Sequence, residues 1–290
     1  MLNILTRPPK IFFPGSAKYF SKLLVKKILN KKRGPDGVLE SLKRGLHELD
    51  FPFVINAPLQ EGQTVNVISN IEALKYAIAH KQSAKLAKLV AGPNLIVLPD
   101  EHDSILASPA IDTVLAVSPW IIDLYGKIIP SLIPKMHIWP AGVQMPDEDG
   151  PIRDTLDFTC IVFKKKVPAD MYEKVIHALD ERKIKYKVFE YGTFKQKEYF
   201  DALSSVSSRK GFMIYLQESE SQGIAFQEAW IRDVPTLVWN KGSYTSSTGI
   251  TVTGNVAAPF LADEAGMLFE GASDFEARLD AFIMKKDAAD

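Results

Sequence analysis

Short apolar runs rich in Val, Ile and Phe alternate with helical patterns along nearly the whole chain. Such runs are typical of buried strands, and apolar residues recurring every three or four positions indicate one face of a helix. In the first half we predict strands over residues 10–13, 53–56, 64–68, 95–98, 113–117 and 136–139. The helices predicted there cover residues 37–49, 71–80, 84–90 and 119–128.

The second half continues the alternation. Strands are predicted over residues 158–163, 185–189, 212–216, 236–239 and 267–269, and helices over residues 169–182, 195–205, 221–232 and 273–284. Strands that alternate with helices indicate βαβ units, right-handed crossovers and parallel sheets covered on both faces. The predicted fold class is therefore α/β, with Rossmann-like, doubly wound parallel sheets.

A break in this pattern divides the chain. Residues 140–151 contain three prolines, two glycines and an acidic cluster, which is typical of an exposed linker. We therefore predict an N-terminal domain over residues 1–145 and a C-terminal domain over residues 146–290. Two such domains are expected to face each other across a cleft, with ligands beyond the carboxyl ends of the strands.

Composition and charge exclude some classes of partner and indicate a cellular compartment. The 290 residues include 35 basic and 35 acidic side chains, so the formal net charge is zero. A protein that binds a phosphate backbone normally has a basic excess, and nucleic acid is not an expected partner. The single cysteine, Cys160, cannot form an internal disulfide, and we see neither a signal peptide nor an apolar stretch of about 18 residues. These features predict a cytoplasmic protein.

The segment over residues 212–230 has the most informative pattern. A buried strand is followed by a short polar loop and a helix, and Gly223 lies near the junction, where a missing Cβ lets a ligand approach the backbone. The first helical turn offers unpaired N–H groups that suit a diphosphate. Glu220 and Glu228 bracket this turn, and each carboxylate can accept hydrogen bonds from the vicinal hydroxyls of a ribose or hexose.

The residues from Glu220 to Glu228, followed by Ala229, resemble the E-x7-E motif of the retaining glycosyltransferases of family 4, which have the GT-B fold. Residues 232–239 and 262–269 resemble later elements of that family. Residues 113–118 and 138–143 resemble elements of its N-terminal domain. The resemblance covers roughly residues 110–270, and the first hundred residues match weakly.

The resemblance implies roles for particular residues. Glu228 would bind the ribose hydroxyls, and Glu220 would lie at the donor sugar. The backbone amides of Gln222, Gly223 and Ile224 would face the sugar and the phosphates. The loop Tyr191-Gly192-Thr193 follows the second strand of the C-terminal domain, where the family holds the nucleobase. Uridine and guanosine both remain open.

The chain departs from the family at the diphosphate. Family members carry Gly-Arg after the first strand of the C-terminal domain and Lys-Gly soon afterwards. Here that strand is followed by Lys164, Lys165 and Lys166, any of which could supply a positive charge, and no Lys-Gly comes before the next helix. A lysine is a point charge without the bidentate geometry of arginine.

His102 and Asp100 are candidates for the reacting centre. They lie in the acidic stretch that follows the strand predicted over residues 95–98, at the expected lip of the cleft. Many family members carry a histidine after the corresponding strand, close to the donor sugar. In this chain the histidine is displaced by several residues.

The resemblance implies transfer of a sugar from a UDP- or GDP-linked donor to a glycan or lipid-linked acceptor. It implies retention of the anomeric configuration without a divalent metal or another cofactor. Asp147 and Asp149 formally match the D-x-D metal motif of the other glycosyltransferase fold, but their position in the linker favours a solvated acidic turn. No metal ligands are therefore predicted.

A basic stretch over residues 18–33 contains no acidic residue, and its apolar and lysine positions separate onto different helical faces. A helix of this kind can lie on an anionic membrane surface, so this stretch is a candidate for peripheral membrane contact. An ordinary surface helix is the other interpretation.

Two alternatives to sugar transfer remain open. One is another enzyme of the same fold, such as a sugar-nucleotide epimerase. The other is a catalytically inactive protein that binds nucleotide sugars, which the absent Gly-Arg and Lys-Gly positions favour. A dinucleotide oxidoreductase is not expected, because no predicted strand is followed by G-x-G-x-x-G.

Overall fold

The computed structural model describes residues 1–9, 34–145 and 156–288. It divides into two compact units, Met1–Gly142 and Val143–Asp290. The strand predicted over residues 10–13, the basic stretch over residues 18–33 and the acidic residues 147–149 lie outside the described residues.

Unit 1 contains a six-stranded parallel sheet in the order β2-β1-β3-β4-β5-β6. The strands are β1 (Leu2–Leu5), β2 (Phe53–Ile55), β3 (Thr64–Val67), β4 (Lys88–Ala91), β5 (Thr113–Ala116) and β6 (Met136–Ile138). The helices are α1 (Gly34–Glu48), α2 (Ile71–His80) and α3 (Pro119–Ile128), with shorter helical turns at Glu101–Ser104, Ile105–Ala107 and Pro130–Lys135.

Local sequence explains how the helices of unit 1 begin. The Asn70 side chain accepts a hydrogen bond from the Ala73 backbone N–H at 2.9 Å and so caps α2. Proline occupies the first position of α3, where no intrahelical N–H is needed. The inner strands β3 and β4 bury Val65, Val67 and Leu89 between the helices and the neighbouring strands.

The structure of unit 1 differs from the sequence-based prediction in three segments. The helix predicted over residues 84–90 is wrong, because Lys88–Ala91 forms β4, which pairs with strands on both sides. Pairing within a sheet overrides the helical periodicity of this short run. The strand predicted over residues 95–98 is also wrong, since these residues form bends after Gly92. The strand Leu2–Leu5 was not predicted.

Unit 2 contains a five-stranded parallel sheet in the order β13-β10-β9-β7-β8. The strands are β7 (Cys160–Lys164), β8 (Tyr186–Glu190), β9 (Phe212–Leu216), β10 (Thr236–Trp239) and β13 (Gly266–Phe269), and the antiparallel pair β11 (Ser243–Thr245) and β12 (Thr251–Thr253) was not predicted. The helices are α4 (Ala169–Glu181), α5 (Gln196–Ser208), α6 (Ile224–Trp230) and α7 (Phe275–Ala288), with a short turn at Asp263–Ala265.

Alternate residues of the unit 2 strands face two separate cores. Phe163, Tyr215 and Val238 pack on the α5 and α6 side, together with Tyr199 and Phe226. On the other side the core contains Val162, Ile214, Leu237, Val175 of α4 and Phe282 of α7. Helices therefore cover both faces of the sheet. The predicted α/β class with two parallel, helix-flanked sheets is confirmed.

Both sheets follow the same order around their first strands. In each, the second strand lies on one side of the first and the later strands lie on the other side. Strand order therefore reverses between β1 and β3 in unit 1, and between β7 and β9 in unit 2. In open α/β sheets, ligands bind at such switch points, beyond the carboxyl ends of the strands.

Among the residues that the structure describes, no helix is both long enough and apolar enough to cross a membrane.

Candidate functional site

The turn between β9 and α6 is shaped by Gly223. Its backbone is left-handed (φ +80°, ψ +54°), and it immediately precedes the first residue of α6, Ile224. A Cβ at this position would lie 1.7 Å from the ring of Phe226, which is fully buried and cannot easily move away. Both the conformation and the close ring require glycine. The helix predicted from residue 221 therefore begins at Ile224 instead.

Glu220 lies in this loop, beyond the carboxyl end of β9. Its backbone N–H donates to the Val256 carbonyl oxygen at 2.8 Å, which fixes the loop. The Lys165 ammonium lies 3.0 Å and 3.3 Å from the two oxygens of the Glu220 carboxylate. The Tyr215 hydroxyl donates to one of these oxygens at 2.9 Å. The side chains of Glu220 and Lys165 are only 15% and 24% exposed, so this is a partly buried, charge-assisted contact.

Tyr215 was missed by the sequence analysis. It lies on β9 and is 2% exposed. Burial and, secondarily, the neighbouring Glu220 carboxylate raise the pKa of Tyr215 well above its ordinary value. The hydroxyl is therefore protonated at neutral pH and acts as a hydrogen-bond donor. The available signal was a hydroxyl-bearing residue in an otherwise apolar strand, five positions before Glu220.

The three candidate lysines have different surroundings. Lys165 contacts Glu220, and its ammonium also lies 4.7 Å from the centre of the Tyr191 ring. Lys164 forms an ion pair with Glu190 at 3.2 Å and lies over the Tyr172 ring. Lys166 is exposed, with a left-handed backbone (φ +49°). The structure thus brings Lys165, rather than its neighbours, to the carboxylate of the motif.

The loop Tyr191-Gly192-Thr193 forms a tight turn after β8. The Thr193 backbone N–H and hydroxyl both donate to the Glu190 carbonyl oxygen, at 3.1 Å and 2.8 Å, and Gly192 is left-handed (φ +85°). The Tyr191 side chain is 55% exposed, and one face of its ring meets Lys165. The turn therefore presents an accessible aromatic ring beside the Lys165–Glu220 pair.

Glu228 has a different set of partners from Glu220. It lies half-buried on α6, where Gln196 donates to its carboxylate at 3.4 Å. Burial raises the pKa of Glu228 to about 7, although the Arg232 charge and the Gln196 hydrogen bond lower it. Arg232 also stacks on the Phe200 ring at 4.2 Å. Near neutral pH, Glu228 therefore exchanges between the acid and the carboxylate.

Gln222 and Ile224 flank the glycine. Gln222 is 4% exposed, and its side-chain amide donates to the Gln227 side chain at 3.1 Å. The Gln227 backbone N–H donates in turn to the Gly223 carbonyl oxygen at 3.2 Å. These bonds tie the loop to the first turn of α6.

Aromatic rings form the base of this site. The Phe163 and Tyr215 rings are stacked, with centroids 5.0 Å apart, and Tyr215 meets Phe226 edge-on at 5.2 Å. Phe226 packs in turn against Trp230 at 4.7 Å. These contacts stiffen β9 and α6 together and fix the direction of the Tyr215 hydroxyl toward Glu220.

His102 and Asp100 lie in unit 1, in a surface turn. Both side chains are exposed, and His102, Asp103 and Ser104 are left-handed, with φ values of +54°, +58° and +54°. Such conformations are costly for residues other than glycine. Because residues 95–98 form no strand, His102 does not directly follow a strand end as the sequence predicted. The nearest preceding strand is β4 (Lys88–Ala91).

In the described part of the chain, no group of three His, Cys, Asp or Glu side chains is arranged to hold a metal ion. A cavity of about 800 Å³ lies at the amino ends of β9, β10 and β13, lined by residues that include Lys210, Trp230, Asp233 and Lys285. This is the edge of the unit 2 sheet opposite Glu220, so the cavity is separate from the motif.

No protein-family model matches the chain, and no curated protein sequence does. The structure is similar to the apo form of the lipopolysaccharide outer core galactosyltransferase WaaB, with a TM-score of 0.50 and 12% identity. The match covers 99% of this chain and 91% of that one.

Two further structures were compared. One contains accessory secretory proteins 1, 2 and 3 of Streptococcus pneumoniae, with a TM-score of 0.45 and 9% identity, covering 86% of this chain and 51% of that one. The other is the GtfA/B complex, with a TM-score of 0.45 and 12% identity, covering 83% and 52%. The chain spans about half the length of these two. At 12% identity, the match to WaaB shows a likeness of fold alone.

Proposed function

We propose that this protein transfers a sugar from a nucleoside diphosphate sugar, UDP- or GDP-linked, to a glycan or lipid-linked acceptor. The observation that carries the proposal is the meeting of Lys165, Glu220 and Tyr215 at the switch point between β7 and β9. An ammonium suits a diphosphate and a carboxylate suits sugar hydroxyls, and both stand at the ligand-binding edge of this fold.

Lys165 is assigned to the donor diphosphate. The competing candidates lie away from the motif, because Lys164 contacts Glu190 at the end of β8 and Lys166 is exposed. Its partner Glu220 is assigned to the donor sugar. The backbone amides of Gln222, Gly223 and Ile224 would supplement the lysine charge, since the glycine leaves the backbone approachable at the start of α6.

Glu228 is assigned to the ribose hydroxyls. A half-buried carboxylate is a strong acceptor, and accepting two hydroxyl hydrogen bonds would offset the cost of keeping it ionised. The loop of Tyr191, Gly192 and Thr193 is assigned to the nucleobase. The exposed face of the Tyr191 ring can stack on any base, so it favours neither uridine nor guanosine.

In this mechanism, the main task of the protein is to stabilise the charge that develops on the departing diphosphate. The Lys165 ammonium and the loop amides do so by being positioned in advance. The bond between the anomeric carbon and the diphosphate oxygen would break, and the acceptor oxygen would bond to that carbon from the same face while its proton passes to the departing diphosphate. This order of bonds gives retention without a metal ion. His102 and Asp100 of unit 1 remain the candidates for the reacting centre. Their exposure leaves them accessible to an acceptor.

Binding without catalysis is the second candidate. It is favoured by the surroundings of the lysines, because Lys164 and Lys165 are both paired with carboxylates and no arginine stands beside them in the loop after β7. Hydrolysis of the donor in the absence of acceptor distinguishes the two. A steady release of nucleoside diphosphate supports an enzyme, and its absence with intact binding supports the inactive alternative. A sugar-nucleotide epimerase would convert the donor sugar without releasing the nucleotide.

The proposal is tested first by thermal shift with UDP, GDP and their sugar conjugates. A bound ligand stabilises the folded protein by mass action, so one nucleotide family should raise the melting midpoint. Glu228→Ala should reduce that shift, while Glu218→Ala, an exposed carboxylate of the same loop region, should preserve it. If no nucleotide moves the midpoint of the wild type, the donor-site proposal is wrong.

The basic stretch over residues 18–33 is proposed as a peripheral membrane contact that would bring the protein to a lipid-linked acceptor in the cytoplasm. Its charge supports this proposal. Flotation with anionic vesicles should be lost when Lys22, Lys26 and Lys27 are changed to Glu. Equal flotation of both proteins, or none of either, would contradict the contact.

A further inference from the structure

We propose that a nucleoside diphosphate binds by displacing Glu220 from Lys165, and that this exchange makes the Glu220 carboxylate available to the donor sugar. The inference rests on the proposed function and adds an order of events to it: the diphosphate is recognised before the sugar is. Glu220 would then compete with the diphosphate of the ligand for the Lys165 ammonium.

The geometry supports motion of the lysine rather than of the carboxylate. Glu220 is fixed from two directions, by its backbone bond to Val256 and by the hydroxyl of the buried Tyr215. Lys165 is fixed at its backbone, where its N–H donates to the Leu216 carbonyl oxygen at 3.0 Å, and its side chain contacts Glu220 and the Tyr191 ring. Beyond that point its flexible stem carries the ammonium to Glu220, so the ammonium can swing while Glu220 stays in place.

A second contact of the ammonium is already present. The Tyr191 ring lies 4.7 Å from the Lys165 ammonium, and 55% of the Tyr191 side chain is exposed. Cation–π attraction can hold the ammonium as it leaves the carboxylate. The lysine therefore need not be fully hydrated before it meets a phosphate.

Charge explains why the exchange costs affinity. A diphosphate carries more negative charge than one carboxylate and can take the lysine, but the negative charge of Glu220 then lies close to the phosphates. That repulsion opposes binding of a nucleoside diphosphate alone. A nucleotide sugar offsets it, because the sugar hydroxyls donate hydrogen bonds to the released carboxylate.

The exchange predicts unequal effects of one substitution on two ligands. Glu220→Gln removes the competing charge, so it should tighten binding of the nucleoside diphosphate by about tenfold. The same variant should weaken binding of the nucleotide sugar relative to the nucleoside diphosphate, since the amide is a poorer acceptor for hydroxyls. A purely structural ion pair would not produce this difference between the two ligands.

The chain offers a matched control on the same sheet edge. Glu190 pairs with Lys164 at 3.2 Å, at the end of the neighbouring strand β8. Glu190→Gln removes an equal charge from an adjacent lysine, so it reports any general electrostatic gain. We expect it to change affinity for the nucleoside diphosphate by less than about twofold, the size of effect expected for an exposed pair.

The test is isothermal titration calorimetry with UDP, GDP and their sugar conjugates as ligands. The proteins are wild type and the single variants Glu220→Gln, Glu190→Gln and Lys165→Met. A double variant combines Glu220→Gln with Lys165→Met. Tighter nucleoside diphosphate binding by Glu220→Gln alone, lost again in the double variant, supports the exchange. An unchanged or weaker affinity of Glu220→Gln overturns it. An equal gain in Glu190→Gln also overturns it.

The titrations distinguish failure of the exchange from failure of the proposed function. If wild type binds none of the nucleotides, the function itself is wrong and the exchange falls with it. If wild type binds but Glu220→Gln shows no gain, only the exchange is wrong. Should Glu220→Gln not fold, Glu220→Asp withdraws the carboxylate by one methylene and should give a smaller gain in the same direction. An unaltered affinity there contradicts the exchange.

Discussion

The two parallel sheets share a strand order, but their carboxyl edges are chemically different. In unit 1, next to the switch point, the Asn56 side-chain oxygen accepts hydrogen bonds from the backbone N–H groups of Thr6 and Arg7, at 2.8 Å and 3.0 Å. In unit 2, the corresponding edge holds the Lys165–Glu220 pair. A neutral amide there stabilises the turn of the chain itself, whereas a charged pair can exchange partners with a ligand.

This difference shows how one topology serves two purposes. The strand order decides where a site can lie, because it opens a crevice at the carboxyl ends. The loops decide what the site can bind. In unit 2 the loop side chains are anchored by buried groups, such as Tyr215, that come from the strands themselves. Four predictions test whether this anchoring is real, and they begin with the largest expected effect.

Gly223→Ala should destabilise unit 2 by about 2–4 kcal/mol, because it combines a left-handed backbone with a clash against the buried Phe226 ring. Gly249→Ala is the matched control. Gly249 has nearly the same backbone (φ +82°), but a Cβ there would meet nothing within 4 Å, so the loss should be about 1 kcal/mol. Urea unfolding followed by circular dichroism measures both. Equal losses would show that the ring does not restrict this turn.

Glu228→Gln should stabilise the protein at high pH. Burial raises the pKa of Glu228 to about 7 from its ordinary value of 4.5, so the folded protein binds this proton more tightly than the unfolded chain does. The free energy of unfolding therefore falls as the pH rises between these values. The variant avoids this loss and should be more stable than wild type at pH 8 by on the order of 1–3 kcal/mol, and nearly equal at pH 4.

Asp280 of α7 provides a control, because its pKa is shifted in the opposite direction to that of Glu228. The Arg182 guanidinium, which donates to Asp280 at 2.8 Å and 3.0 Å, lowers the pKa of that carboxylate. Asp280→Asn should therefore be less stable than wild type at pH 8, and the difference should vanish as the pH falls through the lowered pKa. Urea unfolding at several pH values measures both variants. A pH-independent difference for Glu228→Gln would contradict the buried carboxylate.

Tyr215→Phe should cost about 1–2 kcal/mol of stability and weaken binding of the nucleotide sugar about threefold, because it removes a buried donor to Glu220. Tyr199→Phe is matched to it, since the Tyr199 hydroxyl is equally buried but donates to the Ala225 carbonyl oxygen at 2.7 Å. It should cost similar stability and leave affinity unchanged. Weakened binding by both variants would mean that Tyr215 acts through packing alone. Thermal melts and titration calorimetry measure the two effects.

Asn56→Ala should cost unit 1 about 1 kcal/mol and leave nucleotide binding unchanged, because its hydrogen bonds hold the backbone N–H groups of Thr6 and Arg7 and the Thr6 hydroxyl. Asn56→Gly separates the contribution of the side-chain hydrogen bonds from that of the left-handed backbone. It loses the same hydrogen bonds but tolerates the left-handed backbone (φ +53°), so it should be less harmful than Asn56→Ala. Urea unfolding measures stability. A loss of nucleotide affinity in either variant would contradict the contrast between the two sheet edges.

Much of the fold could be predicted from the sequence where apolar runs were long and clearly bounded. The strands β7, β9 and β10, each with a continuous buried face, were located to within two residues. Residues 84–90 were misread, because a run of mixed Ala, Leu and Lys fits a helix as well as a strand. Only pairing on both sides selected the strand there. For the site, the sequence located Glu220, Glu228 and Gly223 on one loop and helix, but the roles of these residues stay a prediction.

By itself, the sequence determined the α/β class and a strand–turn–helix with two carboxylates, because periodicity and the special conformation of glycine act between near neighbours in the chain. The tertiary structure alone decided which lysine meets Glu220, that Tyr215 holds this carboxylate and that burial raises the pKa of Glu228. The Lys165–Glu220 contact joins loops that follow different strands, and Glu228 meets Gln196 of a different helix. The existence of these contacts depends on strand order and burial, which no local pattern of residues specifies.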